Sequence, residues 1–147
     1  MREILFRGKR IDNGEWVYGH YGEYTNMRSE TISAMSVPNK NSIYGNLCYD
    51  VDPSTVGQYT GLTDKNGKKI FEGDIVFYWC SDIVAVVKFG EYQDSDSTKK
   101  AYGYFVEYLE DGKIVQENMD SREKDDEYGC EVIGNIHDNP ELLGGDI

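Results

Sequence analysis

Along most of the chain apolar and polar residues alternate with a period of two, in short runs separated by turn residues, which is the signature of half-buried β-strands. The first run, Glu3 to Lys9, is followed by Asp12-Asn13-Gly14 and a second run from Glu15 to Tyr24. Asn-Gly tolerates the positive φ of a tight turn, so these two runs are expected to form a hairpin. A third strand is expected from Thr31 to Val37, stopping at Pro38, with Asn39-Lys40-Asn41-Ser42 as loop. Further along, Asn66-Gly67 marks a second tight turn, and Gly73-Asp74 opens a strand in which Ile75, Phe77 and Trp79 alternate with Val76 and Tyr78. Ile83 to Phe89 is a mostly apolar run that fits a buried strand. Tyr102, Tyr104, Val106 and Tyr108 then alternate with Phe105, Glu107 and Leu109, and Asp111-Gly112 turns the chain into Lys113 to Met119 as a third hairpin. The last strand runs from Cys130 to His137. Beyond it Asn139 is placed to cap, and Pro140 to begin, a short terminal helical turn.

About five strands of modest length follow Glu72, which suits a small, strongly bent barrel better than a sandwich. The expectation is a mainly β chain with an SH3-like, partly open small barrel, an extra N-terminal β-hairpin subdomain and a short C-terminal helical turn. It is read as a single domain over residues 1–147, with the hairpin subdomain at 1–54 and the barrel subdomain at 55–147.

Composition strengthens the β reading, since 12 Tyr, 5 Phe and 2 Trp favour pleated, half-buried surfaces. The net charge of −12 is unevenly placed: residues 1–73 hold 9 basic and 9 acidic side chains, residues 74–147 hold 6 and 18. A field of that sign repels phosphates, so nucleic acid is not an expected partner of the second half. The densest stretch, Asp120-Ser121-Arg122-Glu123-Lys124-Asp125-Asp126-Glu127, reads as a solvated loop or short exposed helix, with an acidic imitation of DNA as the alternative. The chain has no apolar run of membrane-spanning length, and Met1-Arg2-Glu3-Ile4-Leu5-Phe6-Arg7 lacks the apolar run of a signal peptide, so no membrane partner and a cytoplasmic location are expected.

Candidate chemistry is sparse. Cys48, Cys80 and Cys130 lack the paired spacing of a zinc or redox motif and read as reduced and structural. His20 and His137, the only histidines, have no nucleophile elbow beside them and read as surface or turn residues. Asp94-Ser95-Asp96-Ser97-Thr98 begins like a calcium loop, but Lys99 takes the place of the required glycine. Asp50 and Asp52 are better suited to an Asx turn ahead of Pro53 than to a cation. Phosphate-binding loops are absent, so neither a metal nor a cofactor is expected and the chain is not read as an enzyme. An enzyme of unrecognised type stays as a second alternative. Gly57-Gln58-Tyr59-Thr60-Gly61 reads as a bending connector whose side chains also suit a ligand. Arg2, Arg7, Lys9, Arg10 and Arg28 among Phe6, Trp16, Tyr18, Tyr21 and Tyr24 resemble a single-strand stacking surface, but Glu3, Asp12, Glu15, Glu23 and Glu30 interleave and cancel the charge.

One resemblance covers the whole chain. Thr55-Val56-Gly57-Gln58-Tyr59-Thr60-Gly61-Leu62, then Asp64-Lys65-Asn66-Gly67 and Ile70-Phe71-Glu72-Gly73-Asp74-Ile75-Val76, resemble the YopX-like family of phage and prophage proteins. Arg7-Gly8-Lys9-Arg10 with Asn13-Gly14-Glu15-Trp16-Val17-Tyr18-Gly19 resembles its start, and Glu131-Val132-Ile133-Gly134-Asn135-Ile136-His137-Asp138-Asn139-Pro140-Glu141-Leu142-Leu143 its end. The resemblance implies a mostly β, SH3-like partly open barrel encoded in phage or prophage genomes, oligomeric, and it implies no established activity. The expected function is a non-catalytic binding or assembly module in the cytoplasm of the bacterial host, its partner a second copy of itself or a host or phage protein. Trp16, Tyr18, Gln58, Tyr59 and Asp74 are its candidate partner or ligand surface.

Overall fold

A computed structural model of the protein describes residues 3–38, 45–79, 81–95, 98–119 and 129–144. The expected loop at 39–42, Cys80, Asp96 and Ser97 of the calcium-like run, and the acidic run 120–127 lie outside these residues. The chain divides into two compact units, Met1–Tyr59 and Thr60–Ile147.

The first unit is an antiparallel sheet. Strands β1 (Phe6–Lys9), β2 (Trp16–Thr25), β3 (Thr31–Val37) and β4 (Leu47–Asp50) follow one another, and β5 (Gly57–Thr63) enters beside β1, in the order β4-β3-β2-β1-β5. The expected first hairpin forms, Lys9 facing Trp16 and Arg7 facing Tyr18, with Gly14 in the left-handed region at φ 72°. At Gly19 strand β2 changes partner: Gly19 faces Phe6, and His20 already faces Ser36 of β3. The handover brings the Ser36 carbonyl so close that a Cβ on Gly19 would lie 2.1 Å from its oxygen, so only glycine fits. Met35, Val51 and Tyr59 are buried, and Gly8 leaves room for the first two, since a Cβ there would meet Val51, Val56 and Met35 at 3.3–3.4 Å.

Two elements differ from the sequence expectation. Strand β4 was not expected, and Gly57 to Gly61, read as a connector, is strand: Gly57 and Gln58 face Arg7 and Phe6, and Tyr59 N–H donates to Leu5 O at 2.7 Å. Within that strand Gly61 stands in the positive region, at φ 91°. Asp52 caps a 3₁₀ turn at Pro53–Thr55, its Oδ1 accepting from Ser54 N–H at 3.0 Å, which is the expected Asx turn.

The second unit holds β6 (Lys69–Phe71) and five strands in the order β10-β9-β8-β7-β11: β7 (Asp74–Tyr78), β8 (Ile83–Gln93), β9 (Lys100–Glu110), β10 (Lys113–Asn118) and β11 (Cys130–Asn135). The mainly β fold class is as expected, and the sheets are not closed into a barrel. On one face of this sheet Val76, Tyr78, Ala85, Val87, Val106 and Tyr108 pack with Ile70, Met119 and Cys130 into the core. On the other, Tyr92 stacks on Phe105 with ring centroids 4.7 Å apart. A bulge between Val132 and Gly134 lets β11 turn into the terminal 3₁₀ turn Pro140–Leu143. Pro140 opens that turn as expected, but Asn139 does not cap it: its Oδ1 accepts from Asn135 N–H at 3.3 Å, holding the preceding turn instead. Among the described residues no helix is long and apolar enough to cross a membrane.

Candidate functional site

The residues that carry the family resemblance hold the scaffold together. Thr55 Oγ1 donates to Asp52 O at 2.6 Å and accepts from Lys9 N–H at 2.9 Å, tying the 3₁₀ turn to β1. Thr60 is buried and donates to Ile70 O at 2.8 Å. Asp74, also buried, accepts from Phe71 N–H at 2.8 Å and closes the turn between β6 and β7. Within that turn Gly73 donates to Val87 O at 2.8 Å and accepts from Ile136 N–H at 2.9 Å, so one residue joins β7, β8 and the segment after β11.

Asp64 is the most heavily used of these side chains. Its Oδ1 accepts from Asn66 N–H and Lys68 N–H, both at 2.9 Å, and its Oδ2 from Val132 N–H at 3.0 Å, fastening the Asn66-Gly67 turn to β11. Burial alone would push this carboxyl up. The N–H groups of Val132, Lys68 and Asn66 and the Lys68 charge outweigh burial and hold it below its ordinary value. Glu107 behaves alike: burial pushes it up, and hydrogen bonds from Lys88 and Gln116 bring it below the usual carboxylate range. A carboxyl depressed on folding stabilises the native state above its unfolded value, about 4, and that stability is lost as pH falls through its folded value. The urea midpoint should therefore fall between pH 7 and pH 3, and by less in Asp64→Asn; an equal fall in both proteins would contradict the assignment.

The expected partner residues differ in burial. Trp16 is half-buried, with the Arg7 guanidinium 4.7 Å and the Lys9 ammonium 5.5 Å from its ring centre. Tyr18 is 47% exposed. Gln58 is half-buried and Tyr59 buried in β5, while Asp74 belongs to the second unit. Three of the cations expected beside the aromatics turn onto the protein's own side chains: Arg7 and Lys9 onto Trp16, and Arg10, which lies 4.4 Å from the Tyr49 ring centre and bonds Asp12 through both Nε and Nη2. Asp50 and Asp52 go to separate tasks, Asp50 accepting from Tyr24 OH at 2.9 Å. Among the described residues no group of three His, Cys, Asp or Glu side chains is placed to hold a metal ion. His20 is exposed on β2, and His137 lies in the turn after β11. Cys130 is buried in the core, whereas Cys48, expected to be structural, is exposed on β4.

A surface that the sequence reading missed lies at the far end of the β8–β9 hairpin. Phe89 faces Tyr104 and Glu91 faces Tyr102 across the pair, on the same face as core residues Val87 and Val106. The Phe89 ring lies 4.7 Å from Tyr104 and 5.3 Å from Tyr102. Tyr104 packs against the core, but Phe89 is 45% and Tyr102 74% exposed. The core face thus runs on into solvent as an aromatic ladder. Its charges balance locally, Lys100 standing 3.6 Å from Glu91. The alternation of Tyr102 and Tyr104 was visible in the sequence; their register with Phe89 was not.

No curated protein matches the chain. Among solved structures it is similar to the crystal structure of protein EF1440 from Enterococcus faecalis, at 25% identity over 97% of this chain and 99% of that one, with a TM-score of 0.45. The family model described as YopX protein matches residues 5–144, and the chain belongs to the YopX family.

Proposed function

We propose that this protein is a non-catalytic assembly module, encoded in a phage or prophage and acting in the bacterial cytoplasm, that self-associates through the aromatic ladder of its β8–β9 hairpin. The observation that carries this reading is the exposure of Phe89 and Tyr102 as a continuation of the core face. Aromatic rings are enriched at interface centres, and neighbouring exposed rings are a standing cost in water that a partner removes. Two copies at −12 each repel, and although the second half holds 18 acidic against 6 basic side chains, the Lys100–Glu91 pair offsets charge beside the ladder itself. The depressed carboxylates Asp64 and Glu107 are held by hydrogen bonds within the fold, which suits scaffold roles better than acid–base work.

Sedimentation velocity tests the reading. The wild type should gain mass with concentration, and Phe89→Glu with Tyr102→Glu should sediment as a folded monomer. Tyr18→Glu should keep the wild-type mass. A double variant that still assembles would overturn the ladder, and dissociation by Tyr18→Glu instead would place the interface in the first hairpin.

A further inference from the structure

The outer edge of β10 is covered by the chain that ends β8. Asp111 and Gly112, at φ 51° and 77°, form a two-residue type I′ turn between Glu110 and Lys113. With that turn the main-chain groups of Lys113, Val115 and Glu117 face β9, and those of Ile114, Gln116 and Asn118 face away from it. Since β10 is last in its sheet order, the outward groups form a template for another strand. Among the described residues, Ser95 N–H donates to Gln116 O at 3.0 Å and Asn118 N–H to Asp94 Oδ2 at 3.2 Å, and beside them Gln93 N–H donates to the Gln116 side-chain Oε1 at 3.0 Å.

The hairpin is built to reach that edge. Gly90 and Gly103 face each other across β8 and β9 at φ 146° and 151°, with open space where a Cβ would stand on either. Only glycine enters this backbone region cheaply, so the pair marks a bend. Beyond it Tyr92 folds over the sheet, stacking on Phe105 and accepting from Asn118 Nδ2 at 2.8 Å.

We propose that Gln93–Ser95 is a strap guarding a self-recognition edge, and that with the strap lifted β10 pairs antiparallel with β10 of a second copy. Pairing centred on Val115 sets Ile114 opposite Gln116 of the other copy, matching the outward main-chain groups. The same register sets Lys113 opposite Glu117 of the other copy, and does so twice about the axis. That charge match favours the same sequence over an unrelated strand. The surface is distinct from the aromatic ladder, and the proposal holds or fails independently of it.

The test uses the full chain carrying Phe89→Glu and Tyr102→Glu, so that the ladder does not enter the readout. Asp94→Ala with Ser95→Pro lifts the strap by removing one acceptor and one N–H. Relative to the same background with the strap intact, the Asn118 amide should exchange faster at low concentration, and a dimer should form at least about tenfold more tightly. Adding either Lys113→Glu or Glu117→Lys should weaken that dimer by about tenfold, and mixing the two single-charge variants should restore it as a one-to-one heterodimer. A strap variant that keeps its β spectrum but stays monomeric would overturn the proposal, as would a dimer indifferent to both charge changes. If the double strap variant loses its β spectrum, Asp94→Ala alone should shift exchange and association in the same direction by a smaller factor, and no shift would overturn the strap.

Discussion

Replacing Gly19 by alanine is expected to unfold the pairing of β2 with β3 and to cost at least about 3 kcal/mol, the upper end for overpacking and beyond it where nothing can move aside. The added methyl would stand 2.1 Å from the Ser36 carbonyl oxygen and 3.4 Å from the Val37 Cα, both main-chain atoms that no rotamer change can displace. Relief requires β2 and β3 to part at His20–Ser36, where β2 passes from one neighbour to the other. Trp16 lies in the first unit and Trp79 in the second, so in a Trp79→Phe background the emission of Trp16 follows the affected unit alone. Its urea midpoint should collapse in Gly19→Ala. A midpoint within experimental error of the parent would mean that the two strands are not in this register.

The second large effect is Asp64→Ala. Three main-chain N–H groups lose a charged acceptor at once, and the Val132 N–H is part-buried within β11, where water replaces the acceptor poorly. Hydrogen bonds to charged groups contribute about 1.5–3 kcal/mol each, and the turn donors Asn66 and Lys68 are exposed enough to be rehydrated, so a net loss of about 3 kcal/mol is expected. Asp64→Asn should lie between alanine and wild type. The nearby Trp79 reports on the change, since its Nε1 donates to Glu131 Oε2 at 3.1 Å and the Lys65 ammonium lies 4.3 Å from its ring centre. An alanine variant as stable as wild type would show that Asp64 does not fasten the turn to β11.

Hairpins were legible because their signals are local. Asn13-Gly14, Asn66-Gly67 and Asp111-Gly112 each place a glycine at positive φ where the sequence put a turn, and Thr31–Val37 begins and ends as read. What the sequence hid depends on distant partners. Strand β5 looked like a bend because its glycines were weighed without the β1 main chain that pairs with Gly57 and Gln58. The role of Asp64 rests on Val132, 68 positions away, and the ladder rests on a register set across an eleven-residue strand pair. The family motifs misdirect any search for a site, because Thr55, Thr60, Asp64, Gly73 and Asp74 were noticeable as a block and all of them serve the scaffold. The surface proposed to act lies outside those motifs, at Phe89 and Tyr102.

Self-association through that surface is tested most directly by tyrosine footprinting of the wild type at low and at high micromolar concentration. Tyr102, at 74% exposure, should lose reactivity several-fold as concentration rises, while Tyr18 and Tyr24, both 47% exposed in the first unit, keep theirs. Unchanged reactivity of Tyr102 across the range, in a protein that remains monomeric, would contradict the account.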